Sequence, residues 1–382
     1  MDTIFTSESV TKGHPDKVCD QVSDAILDAI LAQDPKAHVA CETVASKNLL
    51  LITGEISTSA DIDIEKIARE TVKEIGYDRP EWGFEYDKID VDIRLAKQSS
   101  DINQGVCLND GEMGAGDQGM MFGYACNETE NYMPLSFELA SRLTKKLDEV
   151  RKNKVIDYLG PDGKSQVSVE YSNGKVKRID TIVVSNQHLA TVDIETVRKD
   201  IREKVINTTI SPELMDENTK IIINPTGRFV IGGPIGDVGL TGRKIIVDTY
   251  GGYAPHGGGA FSGKDPSKVD RSAAYYARYV AKHIVASGLA DKAMIEVSYA
   301  IGIPAPVSIY VDCYGTNHTA MENIYQAIDE CFGMHVKNLI DELDLLKPMY
   351  KNLASYGHMG REDLGISFEK LNKLDRVKSY LK

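Results

Sequence analysis

Predicted helices and pairs of strands alternate along most of the chain, and this alternation limits the possible folds more than any other sequence feature. Apolar residues recur at helical spacing from Val18 to Ile30, and strand-like runs at 39–45 and 49–56 follow across a polar turn. A helix, two strands and a helix are predicted again over 271–287, 294–301, 307–314 and 321–332. Because each sheet must bury an apolar face, the pattern predicts α/β sandwich units built alike, with mixed sheets covered by helices.

Three further segments have recognisable local signals. Asn173-Gly174 separates the runs 167–171 and 176–185, which predicts a hairpin with a two-residue turn. The run 244–249, rich in β-branched residues, predicts a strand. Between Lys97 and Gly116 the chain is rich in Ser, Asp, Asn and Gly, a composition typical of a loop that covers an active site.

Composition excludes some classes of function. With 382 residues, 42% hydrophobic residues and a formal net charge of -13, the chain has the composition of a soluble protein that does not coat nucleic acid or an anionic membrane. We expect no partner nucleic acid and no membrane. The chain starts without a basic segment followed by an apolar run, which predicts a cytoplasmic protein. The six widely spaced cysteines are expected to be buried, reduced thiols rather than zinc ligands.

Two glycine-rich motifs allow several interpretations. Residues 114–119 satisfy Gly-x-Gly-x-x-Gly, but a strand-like run rather than a helix follows them, which disfavours a dinucleotide site. Residues 258–264 nearly match a P-loop, yet Asp265 stands where the magnesium-binding hydroxyl belongs. Glycines that admit backbone N–H groups, together with Lys264, still favour phosphate binding over an ordinary turn.

Cations gather in the loops near these motifs. Arg228-Phe229 and Arg243-Lys244 bracket a glycine-rich stretch that contains Asp237, and Lys268 and Asp270 follow Lys264. In an acidic chain, this placement indicates a polyanion pocket, although each cation alone could be a solvated surface charge.

The segment Gly13-His14-Pro15-Asp16-Lys17 places an imidazole and a carboxylate at the start of the first predicted helix. A helix N-terminus attracts anions, His14 could donate to a phosphate oxygen, and Asp16 could hold Mg²⁺. Without further context, either residue could instead be structural.

Taken together, these motifs resemble those of the methionine adenosyltransferase family. Residues 13–17, 114–119 and 257–265 occur in the family's order, and 162–166 and 224–244 are also similar, so the resemblance extends over nearly the whole chain. It implies that methionine sulfur attacks C5′ of ATP, expelling triphosphate that is then hydrolysed to pyrophosphate and phosphate. Fixed cations aimed at the departing triphosphate would lower the barrier of such a reaction.

The resemblance also implies roles for individual residues. The catalytic and phosphate-binding residues would be His14, Asp162, Lys164, Arg243, Lys244, Lys264 and Lys268. Asp16 and Asp270 would serve two Mg²⁺ ions in each site, and Glu42 one K⁺ ion in each subunit. Adenosine would be held by Arg228, Phe229 and Ala260, with Asp237 nearby, and methionine by Glu55, Gln98, Asp117, Asp237 and Lys268. Phe229 could stack on adenine, or could belong to the core.

For the architecture, the resemblance implies three similar, intertwined α/β units in a pseudo-threefold arrangement. We place them at about 1–110, with a lid loop near 97–113, 111–230 and 231–382. It further implies a homodimer or homotetramer with active sites between subunits. The main alternative from the residues alone is a kinase or NTPase with a P-loop-like site, and another is a nucleotide-binding protein without turnover.

Overall fold

The computed structural model of the chain describes residues 2–97 and 113–381. Nearly all of the expected lid loop, including Gln98, lies outside the described residues. The strands are β1 (Asp2–Val10), β2 (His38–Ser46), β3 (Leu49–Ser57), β4 (Asp90–Ala96), β5 (Gly119–Cys126), β6 (Leu159–Ser172), β7 (Lys175–His188), β8 (Lys220–Ile223), β9 (Gly239–Leu240), β10 (Lys292–Tyr299) and β11 (Ser308–Asp312).

The helices include three long ones of 17 or 18 residues each, α1, α3 and α7. All helices of the described residues are α1 (Pro15–Leu31), α2 (Ile64–Ile75), α3 (Leu135–Lys152), α4 (Ile194–Ile201, extended by a π-helical turn at Arg202–Ile206 and a last turn at Asn207–Thr209), α5 (Gly233–Gly236), α6 (Ile245–Asp248), α7 (Val269–Ala286), α8 (Met321–Cys331), α9 (Val336–Glu342), α10 (Tyr350–Leu353) and α11 (Leu374–Lys378), besides short 3₁₀ turns.

The described strands form three sheets, and one long helix packs on each. The strand orders are β1-β6-β7-β8, β4-β3-β2-β9 and β11-β10-β5. Helix α3 packs on β6, α1 on β2 and α7 on β5. Helix α7 approaches β5 closely because Gly123 has no side chain: a Cβ there would lie 2.0 Å from the carbonyl carbon of Ala277. Each layer therefore has the same construction, which confirms the predicted α/β fold of similar units.

Each of the three parts of the chain contributes one strand to a sheet that is formed mainly by another part. β1, from the start of the chain, pairs antiparallel with β6 along its whole length, from Asp2 opposite Ser172 to Val10 opposite Lys164. β5, from the middle of the chain, pairs with β10, and β9, from the last part, pairs with β2. Each sheet thus contains strands from two of the three parts of the chain, and the expectation of intertwined units is confirmed.

Most predicted elements are found, and one is wrong. Asn173 and Gly174 adopt φ of 51° and 77° in the turn between β6 and β7, as the hairpin motif predicts. The run 244–249, however, is not a strand: it forms helix α6. Burial of Asp248 against Lys17 fixes this segment, so a tertiary contact overrides the β propensity of Ile245 and its neighbours.

Two further observations concern membrane-spanning helices and the cysteines. In the ranges 2–97 and 113–381, helices are all too short or too polar to cross a membrane. The cysteines within those ranges are free and buried: Cys19, Cys41, Cys126, Cys313 and Cys331.

Candidate active site

The N-terminus of α1 is the centre of the candidate site. His14 is its N-cap residue and is 3% exposed. The Asp16 amide donates to Nδ1 of His14 (3.2 Å), so the neutral ring carries its proton on Nε2. Burial, and then the nearby Lys244 and Lys164 cations, hold the pKa of His14 well below its ordinary value. The sequence-predicted His14, Lys164 and Lys244 therefore lie together, with the histidine neutral.

Asp16 follows His14 and contacts the loop that carries two predicted cations. Its carboxylate accepts from Lys244 Nζ (2.5 Å) and from the Leu240 amide (3.0 Å), and Arg243 Nε lies 4.0 Å away. Burial opposes ionisation of Asp16, but the hydrogen bonds from Lys244 and Leu240 hold its pKa below the ordinary value. Asp16 is thus an ionised carboxylate among cations.

The start of β6 forms one wall of the site. Lys164 is exposed there, whereas Asp162 is buried and accepts from the Gly233 amide (2.8 Å). Burial raises the pKa of Asp162 to about 6, with Lys164 opposing and Asp237 adding to the rise. Oδ1 of Asp162 has no hydrogen-bond partner among the described residues, which leaves a buried acceptor for a ligand hydroxyl or amine.

The loop that contains Lys264 forms a second wall. Lys264 Nζ contacts Asp270 Oδ2 (2.5 Å), and Asp270 lies in the first turn of α7. Lys268 does not join this pair, because its Nζ contacts Asp265 (2.5 Å) instead. Asp265 in turn accepts from the Val39 amide, so the residue that breaks the P-loop pattern anchors the loop to β2.

The structure supports neither a P-loop at 258–264 nor a dinucleotide-binding motif at 114–119. A P-loop joins a buried strand to a helix, but α6 precedes the Lys264 loop and an irregular segment follows it before α7 begins at Val269. The motif 114–119 leads into strand β5 rather than into a helix, so it lacks the context of a dinucleotide site.

The loop that contains Arg243 and Lys244 contacts the loop that contains Lys264. We call these the two cationic loops. A Cβ on Gly242 would lie 2.4 Å from the Ala260 side chain, so the Arg243-Lys244 loop packs directly against the predicted adenosine-binding segment. Phe229 lies close to Asp162, since a Cβ on Gly232 would be 2.9 Å from the Phe229 ring and 3.2 Å from Asp162 Oδ2. Arg228 beside it is exposed.

Three of the residues expected around methionine and K⁺ are exposed side chains. Glu55 and Glu42 are exposed on β3 and β2, and Glu55 pairs with Ala40, which forms a bridge with Lys264. Asp117 is exposed just before β5. Gln98 lies outside the described residues.

The carboxylates of the candidate site are suited to Mg²⁺ that is also bound by substrate phosphates. They do not suit a metal bound by protein side chains alone. Among residues 2–97 and 113–381, no group of three or more His, Cys, Asp or Glu side chains is placed to hold a metal. Mg²⁺ commonly takes one or two carboxylates plus substrate phosphates. Asp16 and Asp270, each next to a lysine, are the carboxylates available for this, and the Gly259 backbone packs on Asp270 so closely that a Cβ there would lie 2.2 Å from Oδ1.

Sequence reasoning missed the buried residues that support these loops. Lys17, Asp20, Asp24, Asp248 and Arg271 form ion pairs below the site surface. In the sequence, Asp recurs at every fourth position from 16 to 28, but this spacing does not reveal the distant partners of these residues.

Three interleaved sheets and a group of cationic loops around a helix N-terminus define an α/β enzyme with a site suited to a polyphosphate ligand. Family models for S-adenosylmethionine synthetase match nearly the whole chain: the N-terminal domain at residues 2–100, the central domain at 112–229 and the C-terminal domain at 231–370. The chain therefore belongs to the S-adenosylmethionine synthetase, or methionine adenosyltransferase, family.

Curated relatives agree over the full length. The S-adenosylmethionine synthase of Clostridium botulinum is 56% identical, with 100% of both chains covered. That of Sulfurovum sp. is 58% identical over 99% of this chain and 98% of its own, and that of Finegoldia magna is 54% identical over 100% of both. The kinase or NTPase alternative has no support from these comparisons.

Proposed function

We propose that this chain synthesises S-adenosylmethionine from L-methionine and ATP. The methionine sulfur attacks C5′ of the ribose, the bond from C5′ to the triphosphate oxygen breaks, and triphosphate leaves. Triphosphate is then hydrolysed to pyrophosphate and phosphate. Since the reaction is a substitution at carbon, the protein supplies orientation and charge rather than a nucleophile.

The observation that carries this proposal is the convergence of charged loops on the start of α1. His14, Lys164 and Lys244 come from distant parts of the chain; burial depresses the pKa of the histidine, and the two lysines lie close enough to add to this effect. Cations placed near one another without a ligand repel, so their grouping favours a polyanion between them.

Charge stabilisation of the leaving triphosphate is the main catalytic role. Lys164, Arg243, Lys244 and Lys264 stabilise the negative charge that grows on its oxygens, with further contributions to the site from Lys268 and Asp162. His14 donates from Nε2–H to a phosphate oxygen, the proton position that its bond from Asp16 dictates. Because backbone hydrogen bonds hold the loops of Lys244 and Lys264 to α1, little movement of these loops is needed during the reaction.

The two organic substrates occupy the open side of the site. Phe229 stacks on adenine, with Arg228 and Ala260 completing the adenosine contacts, and Asp162 and Asp237 accept from ribose hydroxyls. Glu55, Gln98 and Asp117 hold methionine through its ammonium group, with Asp237 and Lys268 nearby. The exposure of Glu55 and Asp117 supports a second copy of the chain closing this side, in a homodimer or homotetramer.

Two Mg²⁺ ions and one K⁺ ion complete the proposal. When bound, Mg²⁺ neutralises phosphate charge and orients the triphosphate for departure. Asp16 and Asp270 would each contribute a carboxylate, with their lysine partners turning to phosphate oxygens, and Glu42 would support K⁺. The unit boundaries near 110 and 230 and a cytoplasmic location remain predictions from the sequence.

Incubation with ATP, L-methionine, Mg²⁺ and K⁺ tests the function. We expect S-adenosylmethionine, pyrophosphate and phosphate in equal amounts, all dependent on methionine, measured by mass spectrometry and phosphate assays. Omission of methionine is the control. Formation of ADP, or no product from a folded preparation, would reject the proposal.

A further inference from the structure

Helix α1 carries a row of four aspartates that its own stability does not explain. Asp16, Asp20, Asp24 and Asp28 are spaced by four residues, so their side chains lie on one face of the helix. Like charges at this spacing destabilise a helix. Contacts with other parts of the molecule must therefore compensate for this repulsion.

Each aspartate of the row accepts backbone N–H groups from the part of the chain after residue 239. Asp20 accepts from Gly242 (2.8 Å) and Asp24 from Gly263 (2.8 Å), just as Asp16 accepts from Leu240 (3.0 Å). Asp28, at the far end, accepts from the amides of Met349, Tyr350 and Lys351, each at 2.9 Å, at the start of α10. The row thus anchors successive segments along one helix.

Asp20 and Asp24 are fully buried and each has its own cation. Lys17 Nζ lies 2.9 Å from Asp20 and also pairs with Asp248. Arg271 binds both oxygens of Asp24, at 2.9 and 2.6 Å. Paired in this way, the buried carboxylates remain strong acceptors for the loop amides.

The anchored amides directly precede the site cations. Gly242 comes before Arg243-Lys244, and Gly263 comes before Lys264. Both glycines have positive φ, +78° and +79°, and neither has room for a Cβ, which at Gly263 would lie 1.8 Å from the Cys41 carbonyl oxygen. The loops are therefore tightly fitted where the aspartates hold them.

We propose that Asp20 and Asp24 are positioning residues that hold the two cationic loops about one helical turn, roughly 6 Å, apart along α1. This sets the spacing at which Lys244 and Lys264 meet one triphosphate. The inference rests on the proposed function for the identity of the ligand, but the anchoring itself does not.

Substitutions at Asp20 separate the role of the acceptor from that of the charge. Asp20→Asn and Asp20→Ala both remove the charge beside Lys17, which keeps Asp248, but only Asp20→Ala leaves the Gly242 amide without an acceptor. Displacement of reacting groups by about 1 Å can cost about 100-fold in rate. We expect roughly a 10- to 100-fold lower single-turnover rate of S-adenosylmethionine formation for Asp20→Ala, and a rate within about threefold of wild type for Asp20→Asn.

Asp28→Ala is the matched control, because it removes the same kind of backbone anchor from the same helix but away from the cationic loops. We expect it to lower the unfolding midpoint while the single-turnover rate stays within about twofold of wild type. If Asp20→Ala keeps the wild-type rate, or if Asp20→Asn and Asp20→Ala lose the same rate, the positioning role is wrong.

Two further measurements keep the test decisive. If Asp20→Ala does not fold, Asp20→Glu replaces it: glutamate keeps the charge beside Lys17 but moves the acceptor, so a slower rate than Asp20→Asn supports the proposal and a faster rate overturns it. Calorimetric binding of tripolyphosphate with Mg²⁺ needs no turnover. A wild-type protein that binds tripolyphosphate at least tenfold tighter than Asp20→Ala, yet makes no S-adenosylmethionine, would refute the proposed function and leave the positioning role standing.

Discussion

Removal of the Lys164 side chain should disturb the fold little, because this side chain is exposed at the start of β6. Lys164→Met should lower kcat by roughly 100- to 1000-fold, the usual effect of removing one group that stabilises transition-state charge. The free energy of unfolding should change by less than about 1 kcal/mol. Steady-state kinetics and urea unfolding check both values.

Lys175→Met is the control for this variant, since Lys175 is an exposed lysine at the turn of the same hairpin. It should leave kcat unchanged. Equal rates for Lys164→Met and wild type would contradict the role assigned to Lys164.

His14 predicts a particular dependence of stability on pH. Its pKa in the folded chain is well below the ordinary 6.5, so below that pH the unfolded chain binds a proton that the folded chain refuses. Stability is therefore lost as the pH falls below about 6.5. His14→Asn, which keeps a good N-cap residue, should reduce the loss between pH 7 and pH 5 by about 2 kcal/mol.

Urea unfolding at the two pH values measures this difference. His318→Asn, which replaces an exposed histidine, is the control. If His14→Asn loses as much stability as wild type between pH 7 and pH 5, the buried, neutral state of His14 is wrong.

The sequence predicts site residues where charged side chains stand in short motifs with unusual composition. His14, Asp16 and Lys264 each stand beside glycine or proline in a short polar motif, where a charged or titratable residue needs an explanation. Asp20 and Asp24 could not be assigned in this way, since an aspartate inside a helix is usually solvated. Their burial depends on Gly242 and Gly263, more than 200 residues later in the chain, and no local pattern reveals those contacts.

At the scale of elements, helix propensity and strand alternation predicted most helices and strands, but not α6. The run 244–249 has the composition of a strand, yet Asp248 is held by Lys17 and Lys244 by Asp16. These ion pairs with α1 require a tight helical turn between the two residues. At α6, next to the candidate site, these ion pairs therefore outweigh the local β propensity.

Contact between β5 and α7 makes a prediction at the same scale. Gly123→Ala should destabilise the protein by roughly 3 kcal/mol, because the added Cβ would lie 2.0 Å from the α7 backbone and the two elements must move apart. Urea unfolding measures the change. Gly236→Ala is the control, since its Cβ would meet only ordinary contacts, at 3.5 Å or more. Similar stability of the two variants would contradict the close packing.

For the whole molecule, the cyclic exchange of strands determines how the chain unfolds. The sequence predicted similar units, but which sheet receives β1, β5 or β9 depends on contacts between distant segments and left no local signal. Because every sheet needs strands from two parts of the chain, no part contains a complete core.

A fragment of residues 1–110 should therefore fail to fold. It lacks β6, which pairs with β1, and α10, which packs on α1. Circular dichroism should show little fixed structure, and urea should produce no cooperative transition, whereas the full chain unfolds cooperatively under the same conditions. A cooperative transition of the fragment would contradict the interdependence of the units.

A crystal structure with a non-hydrolysable ATP analogue, Mg²⁺ and L-methionine would show whether the cationic loops meet on one triphosphate. We predict that the phosphates lie within hydrogen-bond distance of His14, Lys164 and Lys264, with the methionine sulfur in line behind C5′. A nucleotide bound elsewhere, or phosphates that none of these three side chains reaches, would contradict the account.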